Sequence, residues 1–312
     1  MKLQGKIKHA QQKYKNLIIK GLLYSKKITF PGLQGQSLYE VGGMFWKGLA
    51  KGYITERAAA VAFNFLTALF PLLLFAFTVI PYIPLAGFQA NLLDLLKTFI
   101  PEQVWQVIDP TITYIVTQKK GSLLSIGGLL SLYFATNGIN SLITSFSHSY
   151  YKFSTYNFLR RRINSLIILL VVGMMLAVVV MLIMFGNSVL GMIRISGVMS
   201  QVLYYGLYLF RLSLVVFMAL LIISFLYRMA ITDRQAFPLF SVGAKIAAFL
   251  IIITTFAFSF YITNWTRYNM LYGSLGTILV LTMYIYLNAI FLLIGFDINI
   301  SIYAAKRKNE KR

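Results

Sequence analysis

The chain has 312 residues, of which 58% are hydrophobic and 12% charged, with a formal net charge of +21 and no cysteine. An average soluble domain carries about 25% charged residues, so this composition excludes a water-soluble surface. Disulfides, thiolate metal sites and cysteine nucleophiles are excluded outright. The basic residues sit at the chain ends and between apolar runs, as in membrane proteins, so no nucleic-acid partner is expected.

Residues 1–57 are polar and lysine-rich, and they lack the apolar segment of a cleaved signal. Leu3, Ile7, Ala10, Tyr14 and Leu17 form an apolar stripe flanked by lysines. The pattern predicts an amphipathic helix on the anionic lipids of the inner leaflet. Pro31 and Gly32 end that helix, and residues 37–52, with Trp46, lead along the surface toward the first span.

A membrane span needs roughly 20 apolar residues to cross a hydrocarbon core about 30 Å thick. Six stretches meet that length, at 58–80, 123–146, 163–185, 203–227, 239–261 and 275–298. The predicted fold is an all-α membrane protein with a six-helix transmembrane domain over 58–304 and a basic tail at 305–312. Basic residues before the first span, after the second and fourth, and in the tail place both termini in the cytoplasm. Between the first two spans, the apolar residues of 81–121 recur at helical spacing and predict two short outer helices separated near Pro101.

The polar residues within the spans are the candidate functional groups. Asn64, Thr67 and Pro71 fall near one face of the first span. Pro71 leaves the Thr67 carbonyl without its helical donor, which reads either as a packing kink or as a hinge. In the second span, Tyr133, Asn137, Asn140, Thr144 and His148 share one narrow sector. Thr277, Tyr284, Asn288, Gly295 and Asn299 do the same in the sixth. Two such stripes suggest a shared interior seam, serving either as interhelical glue or as the lining of a path. His148 reads as an interfacial residue rather than a ligand.

Arg211 and Asp297 are the ionisable residues nearest membrane depth. Arg211 either snorkels outward or faces an outer cavity. Asp297 either pairs with a basic neighbour such as Arg228 or Lys245 or relays protons. No Walker loop, zinc-ligand spacing or serine-histidine-acid arrangement is present, and the eight acidic residues are scattered. The expectation is therefore no enzymic activity, no metal and no cofactor.

Several segments taken together resemble the YihY/BrkB family of bacterial inner-membrane proteins. These are the run from Glu56 to Leu74, the segment from Gly121 to Leu142, Leu226 to Ala230, Tyr272 to Gly276, and Leu292 to Asn299. Asp297 stands where the family more often has glutamate. The resemblance implies a six-span protein of the bacterial inner membrane with cytoplasmic termini. The family also carries an old ribonuclease label, which conflicts with the absence of clustered carboxylates. The leading expectation is a transporter or exporter of an amphipathic or lipid-like solute; the alternative is a non-transporting scaffold for envelope assembly.

Overall fold

The computed structural model describes residues 32–82, 89–90, 93, 102–119, 121–151, 156–195, 201–232, 237–264 and 267–310. The lysine-flanked N-terminal stripe and the first outer helix, around Leu92 to Phe99, lie outside the described residues. Eight α-helices occur among those described: α1 (Leu38–Lys51), α2 (Ile54–Val79), α3 (Glu102–Thr117), α4 (Gly121–Ser147), α5 (Phe158–Ile195), α6 (Gln201–Ala230), α7 (Val242–Asn264) and α8 (Arg267–Asn309). Each of the six stretches expected to span lies within or nearly within one of α2 and α4 to α8. The helices overrun most of the expected ends, most of all α8, whose 43 residues make about 65 Å of helix at 1.5 Å per residue.

Five of the helices are long and apolar enough to cross a membrane: α2, α5, α6, α7 and α8. Helix α4 matches them in length at 27 residues but is diluted by glycine, serine, threonine and asparagine. Large apolar side chains such as Phe63, Phe70, Met174 and Phe256 point outward. Such a surface suits hydrocarbon, not water.

Neighbouring contacts close a ring in the order α2, α4, α5, α6, α7, α8 and back to α2. The main buried core draws on Ala58 and Val61 of α2, Phe146 of α4, Ile168 of α5, Tyr227 of α6, Ala244 of α7 and Phe296 of α8. These residues come from the starts of α2, α5 and α7 and from the ends of α4, α6 and α8. Those six ends therefore meet at one pole of the bundle. Phe146 stacks on Phe296 with centroids 4.2 Å apart, and the Tyr227 and Phe237 rings meet Phe296 edge-on. Offset-stacked and edge-to-face pairs of this kind add to the packing gained from burial alone.

Helix α4 runs antiparallel along α2. Ser145 lies opposite Arg57, Ser141 opposite Ala60, Gly138 opposite Phe65 and Gly127 opposite Phe75. The missing side chain of Gly128 makes room for the Phe75 ring, which a Cβ there would meet at 3.1 Å, the small-residue device by which membrane helices approach closely. Helices α7 and α8 use the same device more severely. A Cβ on Gly295 would come within 2.5 Å of the Gly243 carbonyl and of the Tyr227 hydroxyl.

Ser37 caps α1 by accepting from the Glu40 N–H, and α1 packs on the far end of α8 through Val41, Ile302 and Ala305. Asn309 donates to Gln36 and Glu40. The stretch read as a basic tail thus continues α8 as far as Asn309. Of the two short helices expected between the first spans, α3 is the second, and it holds Pro110 in its interior.

Candidate functional site

The site begins with one buried ion pair. Arg57, in the first turns of α2, donates from Nη2 to Asp297 Oδ2 at 2.5 Å, and from Nη1 to the Ser145 carbonyl at 3.0 Å. Ser149 donates to Asp297 Oδ1 at 2.8 Å. The two charged side chains are only 7% and 3% exposed. Asp297 was expected to find Arg228 or Lys245; its partner is Arg57 instead. That arginine, 240 positions away in sequence, reads by itself as one more positive charge at a span entrance, so its pairing is invisible before the helices are assembled. The pair closes α2 onto α8 while the Ser145 bond closes α2 onto α4. Three ring members are locked by one guanidinium. Its Nε is buried and has no hydrogen-bond partner.

Beside this pair, a cleft of about 470 Å³ opens between α2 and α4. Glu56, Arg57, Ala60 and Asn64 line it from α2. Asn137, Asn140, Ser141, Thr144, Ser145 and His148 line it from α4. The α4 residues recur at the 3.6-residue period, so the polar stripe expected on this helix forms one wall. Asn64 donates to the Ala60 carbonyl at 2.8 Å and to Ser141 Oγ at 3.2 Å, bridging the two walls. The His148 Nδ1 lies 2.7 Å from the Thr144 carbonyl. A carbonyl only accepts, so Nδ1 carries the proton and Nε2 is left to the cleft mouth. The Asn140 amide and the Thr144 hydroxyl spend no hydrogen bond on the described protein. They are the groups a polar solute can use.

The other candidate residues lie elsewhere. Thr67 bonds back to the Asn64 carbonyl, and Pro71 lies within α2, which continues through it to Val79. Tyr133 faces a second groove, on the α5 side of α4. The stripe on α8 does not join the cleft. Tyr284 meets Thr255 of α7 at 2.9 Å, and Asn288 donates to the Tyr284 carbonyl. Asn299 accepts from the Gly243 N–H and donates to Ser241 Oγ, both at 2.8 Å. Ser241 in turn accepts from the Ala244 N–H, so Asn299 and Ser241 together cap the start of α7. The two stripes therefore form no common seam. One opens a cleft, and the other joins α8 to α7. Arg211 sits about 24 Å along α6 from Tyr227 and lines neither groove. The side chain of Thr277 is outside the described residues.

Residues 45–312 match the family described as Virulence factor BrkB. The chain is 27% identical over 253 residues to a protein of Bacillus subtilis strain 168 named ribonuclease-like YfkH, covering 81% of this chain and 91% of the relative. A UPF0761 membrane protein of Alteromonas mediterranea is 33% identical over 98 residues, which is 31% of this chain and 33% of the relative. One from Pseudoalteromonas atlantica is 33% identical over 88 residues, 28% and 29% of the two chains. No solved structure matches the chain. The family match takes in the ion pair, both walls of the cleft and all six ring helices, and the chain belongs to the BrkB family of membrane proteins.

Proposed function

We propose that this protein spans the bacterial inner membrane six times, with both termini cytoplasmic, and moves an amphipathic or lipid-like solute whose polar end enters the α2–α4 cleft. The cleft is the observation that carries the reading. It places an unspent amide, a hydroxyl and an imidazole beside a buried guanidinium, in helices whose outer faces suit lipid. Polar and ionisable groups at membrane depth face the bundle interior or a water-filled cavity, and many line solute paths.

The register of α4 supports counting it as the sixth span. Its contact with α2 extends from Arg57 to Phe75, about 27 Å of rise, close to the full hydrocarbon thickness. A helix packed antiparallel along that length crosses wherever α2 crosses. The orientation rests on charge, because Arg57, Arg160, Arg161, Arg162, Arg228 and Lys306 all lie at or near the pole where the core is buried.

Ribonuclease chemistry forms no part of this proposal. Among the described residues no three metal-capable side chains cluster, and the one buried carboxylate near the cleft is held by Arg57. The ribonuclease-like name belongs to the Bacillus relative.

The absence of native cysteine makes accessibility the direct test. Cysteines at positions 64, 140 and 144 should react with a water-soluble maleimide applied from the cytosolic side and be protected from the outer side alone. Protection of all three from both sides would refute the cleft as a solute site and favour the scaffold, in which these residues only join helices.

A further inference from the structure

We infer that the second groove, between α4 and α5, is a binding site for an anionic glycerophospholipid of the cytosolic leaflet, with Arg162 holding its phosphate. The groove encloses about 310 Å³. Its walls are apolar, Leu129 and Leu132 from α4 and Ile163 and Leu166 from α5, and Leu129 is 69% exposed among the described residues. Arg162 stands among them near the start of α5. Its Nη1 donates to Asn137 Oδ1 at 2.5 Å, and its guanidinium lies 5.2 Å from the centre of the Tyr133 ring.

No carboxylate among the described residues pairs with Arg162. Arginine at the cytosolic boundary of a span lies at the level of anionic headgroups, and the guanidinium fork matches phosphate oxygens. The ring and the amide fix its plane while leaving other N–H donors unspent. Arg160 and Arg161 precede it, and the first turn of α5 contains no acidic residue. Cations there also oppose the positive end of the helix dipole, so a net anion relieves that penalty. A choline headgroup carries its own cation and does not relieve it. Apolar walls that are open to the bilayer accept an acyl chain, which a free phosphate lacks. The occupant is therefore a lipid rather than a soluble anion.

Asn137 links this groove to the solute cleft, because it lines that cleft and also accepts the Arg162 bond. The lipid site itself does not depend on whether the chain transports anything.

The test is native mass spectrometry of the purified full chain, titrated with phosphatidylglycerol and with phosphatidylcholine, on wild type, R162Q and R162K. One basic residue at the membrane surface is worth about a fivefold preference for an anionic lipid. The most tightly retained lipid on wild type should show a preference of that order for phosphatidylglycerol. R162Q should abolish it, and R162K, which keeps the charge but loses the fork, should retain only part of it. Equal retention of the two lipids by wild type, or an undiminished preference in R162Q, would overturn the site. Inorganic phosphate, added alone at equal ionic strength, retained as tightly as phosphatidylglycerol would refute the lipid as occupant.

Discussion

Replacing Asp297 by asparagine keeps the shape of the side chain and removes its charge. Arg57 then remains as a guanidinium only 7% exposed, with the Ser145 carbonyl and an amide oxygen in place of a carboxylate. Removing one partner of a buried pair costs about 3–5 kcal/mol, because the other charge is left uncompensated. Total stabilities are typically about 5–15 kcal/mol, so D297N should lose a large share of the fold's margin. R57Q should cost a similar amount by stranding the carboxylate between Ser149 and Arg57's former site. The double variant R57Q/D297N strands no charge, so its cost should fall short of the sum of the singles by about 2 kcal/mol or more. D297E keeps the carboxylate, and its extra methylene should cost only about 1–3 kcal/mol in a closely packed site. Denaturant titration in mixed micelles, followed by circular dichroism, measures all four. Single variants that each lose less than about 1 kcal/mol, or a strictly additive double variant, would refute the pair as the lock of the ring.

G295A should lower the unfolding midpoint by the equivalent of at least about 1–3 kcal/mol, since its methyl would press on the Gly243 carbonyl and the Tyr227 hydroxyl. G206A, where a methyl meets nothing within 4 Å, is the control and should be neutral to stabilising by up to about 1 kcal/mol in the same titration. N299A should destabilise by about 1–3 kcal/mol through the uncapped start of α7, while leaving the labelling of a cysteine at position 140 unchanged. A cysteine placed at position 299 itself, where the native side chain is buried against α7, should resist the same reagent until the protein unfolds.

The helices were legible because long apolar runs admit few other structures, and all six expected spans coincide with helices. Helix ends were less legible. The 3.6-residue apolar period fades at the membrane boundary, whereas α8 continues through Lys306 and Arg307, held by contacts with α1 that only assembly creates. The cleft was half legible. The spacing of Asn137, Asn140 and Thr144 set them on one face, but a single helix does not say which neighbour faces that stripe. The stripe on α8 shows the limit of such reasoning, since Asn288 and Asn299 have the same periodicity, yet one bonds back to a carbonyl of its own helix and the other caps α7. The Arg57 pairing left no local signal at all. An arginine at a span entrance satisfies the charge rule for orientation whether or not it is buried. The one hint lay in the resemblance itself, whose matching segments at Glu56 to Leu74 and Leu292 to Asn299 contain the two partners.

The central claim is that the α2–α4 cleft receives the polar end of an amphipathic solute. An electron cryo-microscopy map of the full chain in nanodiscs of native lipid tests it most directly. Elongated density with its polar end between Asn140, Thr144 and Arg57, lost in the N140L/T144V variant while the bundle itself is unchanged, is the expected result. A cleft closed by its own side chains, with α2 and α4 in contact along its whole length and no density between them, would contradict the account.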